Sequence, residues 1–283
     1  MMNGFVIVNK QKGVSSAYVT NKLKHYFSQP CGHMGTLDPL ASGVLPIGVG
    51  RGSRLFNYMQ GKDKTYLAQF EFGYETDTFD LGGKEVKRDE KEVTFDMVKE
   101  VLPKFIGEIS QVPPTYSAIK ICGAKAYDLA RRGEEVTLKS RQIKIYGIDL
   151  LSQDKRNTFT LRVNCQSGTY IRSLVRDMAT ALGTCGVMTS LVRERVGEFD
   201  LTKAKTLDEI LSSCDKEKYL TKIEDVLPFE SVTLSGQTLK HVTNGIEKEV
   251  ELPSGEYKVF SPSEFIGIGR VENGKLKMTT FLR

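Results

Sequence analysis

The chain has 283 residues, 40% hydrophobic and 27% charged, with a formal net charge of +5. That is the composition of an ordinary globular protein, long enough for one large core and a small appended domain. No apolar run is long enough to cross a bilayer, and Gly4-Phe5-Val6-Ile7-Val8 is too short for a signal peptide. The cysteines at 31, 122, 165, 185 and 214 are odd in number, scattered and without a Cys-x-x-Cys pair. They argue against a disulfide framework or a zinc site and for a reducing, cytoplasmic setting. His25, His33 and His241 are too dispersed for a metal cluster, so neither a metal nor a cofactor is expected.

Phe5 to Val8 predicts a short buried strand and Lys10 to Gly13 a turn. Ser15 or Ser16 then caps a helix with Val19 and Leu23 on one face. In the stretch 31–55, glycines at 32, 35, 43, 48, 50 and 52 break any helical or strand period. Glycine is favoured where φ must be positive or where another backbone comes close. Asp38 precedes Pro39, which pushes it out of the α region into a stiff, extended corner. Taken alone, Asp-Pro is also ordinary turn chemistry. Residues 44–49 read as a buried strand that anchors this loop.

Residues 64–73 alternate with period two, placing Tyr66, Ala68, Phe70 and Phe72 on one face of a half-buried strand. Tyr66, near the start, either reaches into a cleft or packs in the core. Thr94 begins a helix with Phe95, Val98, Val101 and Leu102 inward. Ile143, Ile145 and Ile148, then Phe159, Leu161, Val163 and Cys165, mark two more strands. The turn at 166–172 leads into a helix with Leu174, Val175, Met178, Ala181 and Leu182 on one face. Arg172 falls in its first turn, where the helix dipole disfavours a cation. A carboxylate partner explains that placement; a solvated arginine is the alternative. Thr206 to Leu211 reads as a short capped helix and 225–229 as a linker. Beyond it, strands at 248–252, 257–260, 265–271 and 275–282, separated by glycine turns, predict a small β domain.

The positive charge is concentrated. Between 119 and 144, Lys120, Lys125, Arg131, Arg132, Lys139, Arg141 and Lys144 face only Asp128, Glu134 and Glu135, a surplus of +4. From 228 onward, seven Lys and Arg balance seven Glu, for a net charge of zero. A basic segment of this kind is either a phosphate-binding footprint or a solvated, salt-bridged face.

The string Gly32-His33-Met34-Gly35-Thr36-Leu37-Asp38-Pro39, continuing through Ala41, Gly43, Val44 and Leu45, resembles the signature of the TruB family, the tRNA pseudouridine-55 synthases. Pro113-Pro114-Thr115-Tyr116-Ser117-Ala118-Ile119-Lys120 and Gly168-Thr169-Tyr170-Ile171-Arg172 resemble two further motifs of that family. Two positions depart from its pattern. Gln11 stands where proline is usual, and Leu191-Val192-Arg193 replaces Leu-Arg-Arg.

The resemblance implies an α+β fold, with a mixed, mainly antiparallel sheet flanked by helices and a small β-rich, PUA-like C-terminal domain. Its domains would be 1–227 and 228–283, with an RNA-gripping thumb at about 114–142. The family role is isomerisation of uridine to pseudouridine at position 55 in the T-loop, after the nucleotide is flipped into the pocket. It implies Asp38 as nucleophile, Arg172 as its ionic partner and Tyr66 as the aromatic group that stacks on the base and assists removal of the C5 proton. Asp80 would orient basic partners, and Leu191 and Tyr170 would line the substrate pocket. His33 would stack with or replace the displaced base, a loop-stabilising histidine being the other reading. Lys120, Lys125, Arg131 and Arg132 would contact RNA. The expected partner is the T-arm stem-loop of tRNA, the expected state a monomer, with no membrane attachment.

Two rival classes stay open at the level of sequence. Gly-His-x-Gly with Lys277-Met278-Thr279-Thr280 loosely suggests a nucleotidyltransferase, although the first motif has the wrong order and the second lies in an alternating strand. An RNA-binding module without chemistry keeps everything except the need for Asp38, Tyr66 and Arg172 together.

Overall fold

The computed structural model describes residues 2–117, 132 and 138–282, together with the backbone of 120–121 and 124–125. An 11-stranded sheet dominates the N-terminal part. Its main strands are β1 (Gly4–Lys10), β2 (Cys31–His33), β3 (Ser42–Val49), β4 (Lys64–Phe72), β5 (Gly107–Gln111), β6 (Arg141–Lys155), β7 (Thr158–Cys165), β8 (Gly186–Val196) and β9 (Lys205–Thr206). The order across the sheet is β9-β1-β3-β8-β4-β7-β6-β5, with β2 paired to β3. Only β1 with β9 and β3 with β8 run parallel along this path. The sheet is therefore mixed and mainly antiparallel, as the family resemblance implies.

Helices α1 (Ser16–Phe27), α2 (Phe95–Val101) and α3 (Ile171–Leu182) bury their apolar stripes in the same core as the alternating residues of β4, β6 and β7. The caps follow the sequence. Ser15 accepts from the Tyr18 N–H, and Thr94 accepts from the Met97 N–H. The short helix Leu207–Leu211 has a full capping box between Thr206 and Glu209.

Helix α3 buries Leu174, Val175, Met178 and Leu182 as expected and differs at one position. Ala181 is exposed and Ala179 is buried. The buried face is rotated toward Arg172 and Ala179, because Gly186 of β8 packs there. A Cβ on Gly186 would lie 2.9 Å from the Phe72 ring and 3.0 Å from the Ala179 methyl. The central strands come together through another glycine. Gly43 has φ +108°, and a Cβ there would sit 2.3 Å from the carbonyl oxygen of Arg193. No other residue allows β3 and β8 to pair at this point.

The C-terminal sheet has five strands in the order Glu230–Thr233, Gly255–Phe260, Phe265–Glu272, Lys275–Phe281 and Lys248–Glu249. A helix, Gly236–Thr243, packs on it through Val242 and Leu239. This helix is absent from the sequence reading, because its opening glycine and β-branched threonines hide the period. The 225–229 segment, read as a linker, is instead packed. Val226 and Leu227 share a buried cluster with Phe5 and Ile7 of β1 and with Ile268 and Leu282. No helix among the described residues is long and apolar enough to cross a membrane.

Candidate active site

The glycine-rich loop between β2 and β3 is tied down from several sides. The Ser16 hydroxyl donates to the Leu37 carbonyl at 2.8 Å and accepts from the Leu37 N–H at 2.9 Å. The Gly13 N–H donates to the Pro39 carbonyl at 2.7 Å. Lys10 Nζ donates to the carbonyls of Gln11 at 2.9 Å, Val14 at 2.8 Å and Pro39 at 3.4 Å. Arg193 bridges the loop to β3: Nη1 donates to Thr36 O at 3.2 Å and Nη2 to Gly35 O at 3.1 Å in the loop, and Nε to Val44 O at 2.8 Å on β3. Within the loop, the Ala41 N–H donates to the Asp38 carbonyl at 3.0 Å, closing a turn with Pro39 at its second position. The turn and the rigid corner are thus the same structure.

Lys10 and Arg193 are both 1% exposed, and neither has an ion-pair partner among the described residues. Burial lowers the Lys10 ammonium to about 8, Asp38 pulling it up and Arg193 pushing it further down. Backbone carbonyls stand in for counter-ions and in return are locked in place. This also answers the departure at Gln11: the turn is held by the Lys10 ammonium, which reaches the Gln11 carbonyl whatever the side chain.

Arg172 brings two carboxylates together. Its Nη2 lies 3.0 Å from Asp38 Oδ2, and its Nη1 lies 3.5 Å from Asp80 Oδ2. The same nitrogens donate to Tyr116 O at 3.0 Å and Thr78 O at 3.2 Å. Arg172 is buried, whereas the Asp38 side chain keeps 37% of its surface exposed. Both terminal nitrogens of the guanidinium are therefore engaged and Asp38 remains open to a ligand. Asp80 is itself held: Oδ1 accepts from the Thr78 hydroxyl at 2.7 Å and the Gly82 N–H at 2.8 Å. Between them Phe79 adopts φ +59°, a strained conformation for a bulky side chain. It is held there by the Met188 N–H, which donates to its carbonyl at 3.0 Å.

Asp38 and Arg172 open onto a cleft of about 380 Å³, whose walls include Tyr66, Tyr170, Leu191, Lys64 and Arg141. Tyr66 is 7% exposed, and burial pushes its phenol up to about 12 although Arg193 beside it pulls the other way. At neutral pH it is an un-ionised hydroxyl. Lys64 is lowered to about 8, first by burial and then by Arg193. Its ammonium donates to the carbonyls of Lys62 at 2.7 Å and Gln60 at 3.3 Å. Gln111 clamps the backbone of Tyr170 on both sides, accepting from its N–H at 2.9 Å and donating to its carbonyl at 3.1 Å. A partly exposed carboxylate that shares a cleft with aromatic rings and a leucine suits nucleophilic attack on a flat, ring-bearing ligand.

The structure thus gathers Asp38, Tyr66, Tyr170, Arg172 and Leu191 around one cleft. His33 is not among the residues lining it. It lies on β2 opposite Ile47, half-buried, with its imidazole pKa lowered by burial and by Arg193. Arg132 is exposed. The side chains of Lys120 and Lys125, and all of Arg131, lie outside the described residues. Arg193, Lys10, Lys64 and Gln111 are the site residues the sequence reading left unassigned. A signal existed for Arg193: it follows Leu191 by two, so strand alternation puts both on the cleft-facing side.

Residues 24–171 match the model of the TruB family pseudouridylate synthase N-terminal domain, and residues 172–233 match the tRNA pseudouridylate synthase B C-terminal domain. A relative from Fusobacterium nucleatum subsp. nucleatum, named tRNA pseudouridine synthase B, is 40% identical over 97% of this chain and 98% of its own. One of the same name from Aquifex aeolicus is 37% identical over 97% and 98%. Among solved structures, a Cbf5-Nop10-Gar1 complex gives a TM-score of 0.74 at 22% identity, covering 99% of this chain and 85% of that one. An H/ACA RNP bound to a substrate RNA containing 2′-deoxyuridine gives 0.73 at 21%, with the same coverage. At such identities these two likenesses speak for a common fold. The two family models meet end to end at the Ile171–Arg172 bond, and the full-length relatives align along nearly the whole sequence. The chain belongs to the TruB family of pseudouridylate synthases.

Proposed function

We propose that this protein isomerises uridine to pseudouridine at position 55 in the T-loop of tRNA, with Asp38 as nucleophile. The observation that carries the reading is the half-open Asp38 carboxylate gripped at 3.0 Å by the buried Arg172 at the edge of a cleft. The relatives named tRNA pseudouridine synthase B support tRNA as the substrate.

The reaction breaks the C1′–N1 bond, turns the uracil and forms a C1′–C5 bond. The C5 proton leaves and N1 gains one, so no oxidant or reductant enters the balance. Asp38 holds the intermediate covalently through a carboxylate oxygen while the base turns. Arg172 orients that carboxylate, and Asp80 with the Thr78 carbonyl keeps the guanidinium from following its partner. Tyr66 and Leu191 wall the slot for the uracil. Because the Tyr66 hydroxyl is un-ionised, it takes the C5 proton only as it passes its own to a second acceptor. A base inside a folded T-loop is out of reach, so the nucleotide is flipped into the cleft. The basic 119–144 segment grips the T-arm, the enzyme acts as a monomer, and its substrate places it in the cytoplasm.

Release of tritium from tRNA carrying C5-labelled uridine tests the reading. The expected result is stoichiometric release without added ATP, abolished when position 55 is cytidine. ATP-dependent activity on the RNA without release, or tight binding with neither, would overturn it in favour of a nucleotidyltransferase or an RNA-binding module.

A further inference from the structure

Arg141 opens strand β6, where its backbone pairs with Gln111 of β5. It stands on the cleft wall beside Tyr170, with its guanidinium carbon 4.9 Å from the centre of the Tyr170 ring. Its Nε and Nη2 are shielded from solvent and have no hydrogen-bond acceptor among the described residues. These two atoms form one edge of the guanidinium, with parallel N–H bonds. Elsewhere in the chain the same edge is used as a fork on a carboxylate. Arg162 Nε and Nη2 take the two Glu194 oxygens at 2.8 and 3.3 Å, and Arg88 Nε and Nη2 take those of Glu85 at 2.7 and 2.6 Å. Arg141 has the fork without the acceptor.

Charged donors left dehydrated and unpaired are costly, and most buried polar groups find a partner. Stacking on Tyr170 holds the guanidinium plane without locking its edge, because no hydrogen bond fixes the rotation. Gln111 in turn clamps the Tyr170 backbone on both sides, so the stacking platform is rigid. The group is therefore held on the cleft wall with one edge unpaired, and taking a pair of oxygens requires that edge to turn out toward the cleft.

We infer that Arg141 is a substrate-binding residue that takes a backbone phosphate of the RNA strand entering the cleft, through a bidentate Nε/Nη2 contact. The inference rests on the pseudouridine synthase reading above. A phosphate offers two oxygens at the spacing of the fork, which is why arginine recurs at such contacts. The uracil edge alternates acceptor, donor and acceptor, so it cannot fill both arms. A guanine edge can, and the test separates it from a phosphate.

The test compares Arg141→Gln and Arg141→Lys with the parent, using a T-arm stem-loop RNA. It measures affinity across a salt titration and single-turnover tritium release at saturating enzyme, with thermal unfolding confirming the fold. Arg141→Gln should weaken binding about tenfold or more and reduce the slope of log affinity against log salt by roughly 0.7 to 0.9. Arg141→Lys should restore the slope, since it keeps the charge, but recover only part of the affinity, since it loses the fork. Parent-like affinity in a folded Arg141→Gln would overturn the inference. Lost affinity with an unchanged slope would overturn the phosphate in favour of a base edge. If Arg141→Gln fails to fold, Arg141→Lys decides, and parent affinity there overturns the fork. A parent enzyme that releases no tritium would refute the pseudouridine synthase reading instead, while the binding comparison would still stand.

Discussion

Arg172 Nη2 lies 3.0 Å from Asp38 Oδ2 and, from the same nitrogen, donates to the Tyr116 carbonyl at 3.0 Å. Its Nη1 lies 3.5 Å from Asp80 Oδ2 and donates to the Thr78 carbonyl at 3.2 Å. Four acceptors from three separate stretches of chain thus meet one planar cation, which is why the segments at 38, 78–80 and 116 act as one site with the helix that carries Arg172. Arg172→Lys offers a single nitrogen to the same four groups. It should lower the single-turnover rate roughly a hundredfold, the effect expected when a reacting group is misplaced by about 1 Å. Tritium release under saturating enzyme reads the change, and a rate within threefold of the parent would refute the orienting role.

Tyr66→Phe separates the ring from the hydroxyl. The ring still walls the slot, so tRNA affinity should change little, while product formation collapses if the hydroxyl relays the C5 proton. Filter binding and tritium release on one preparation check both. An equally fast Tyr66→Phe enzyme would remove the hydroxyl from the chemistry.

Arg193 has no chemical step in this account; it positions the loop. Arg193→Lys cannot reach Gly35, Thr36 and Val44 at once, and the carbonyls it abandons stay buried. It should cost about 3 kcal/mol of stability, since charge-assisted hydrogen bonds contribute about 1.5 to 3 kcal/mol each. Urea unfolding measures this. An unchanged midpoint with unchanged slope would show that the loop holds its shape without the fork.

The buried Lys64 predicts how stability changes with pH. Its folded-state value is about 8, below the ordinary 10.5. Below pH 8 both states carry the proton and the folded protein bears the full burial cost. Between about 8 and 10.5 the unfolded chain binds more protons, so stability attributable to this group rises with pH. Lys64→Met removes that rise. Comparing the urea unfolding free energies of parent and variant at pH 7 and pH 10.5 isolates it. The parent should gain on the variant by an amount approaching about 3 kcal/mol. A constant difference between the two proteins would show that Lys64 is not a buried cation.

Much of this arrangement is legible in the sequence because it rests on local rules. Period-two runs give β4, β6 and β7, Ser15 and Thr94 start their helices, and the Asp38-Pro39 corner declares itself by chemistry. The residues that went unread are those whose meaning depends on what folds over them. Lys10 and Lys64 look like surface cations until the loop and sheet cover them, and the alternation that turns Arg193 to the cleft side does not reveal that its guanidinium is buried against carbonyls. The misread face of α3 has the same origin. Ala179 and Ala181 are chemically identical, and only the contact with Gly186 decides which is inside. His33 on β2 pairs with Ile47, half-buried and off the cleft lining, a placement its motif position does not give.

The central claim is that Asp38 supplies the nucleophile, and Asp38→Asn tests it most directly. The amide keeps nearly the same shape and removes the charge. The account predicts tRNA affinity within about threefold of the parent and a single-turnover rate lower by at least roughly a thousandfold. Turnover within tenfold of the parent, by a folded Asp38→Asn protein that binds tRNA normally, would contradict it.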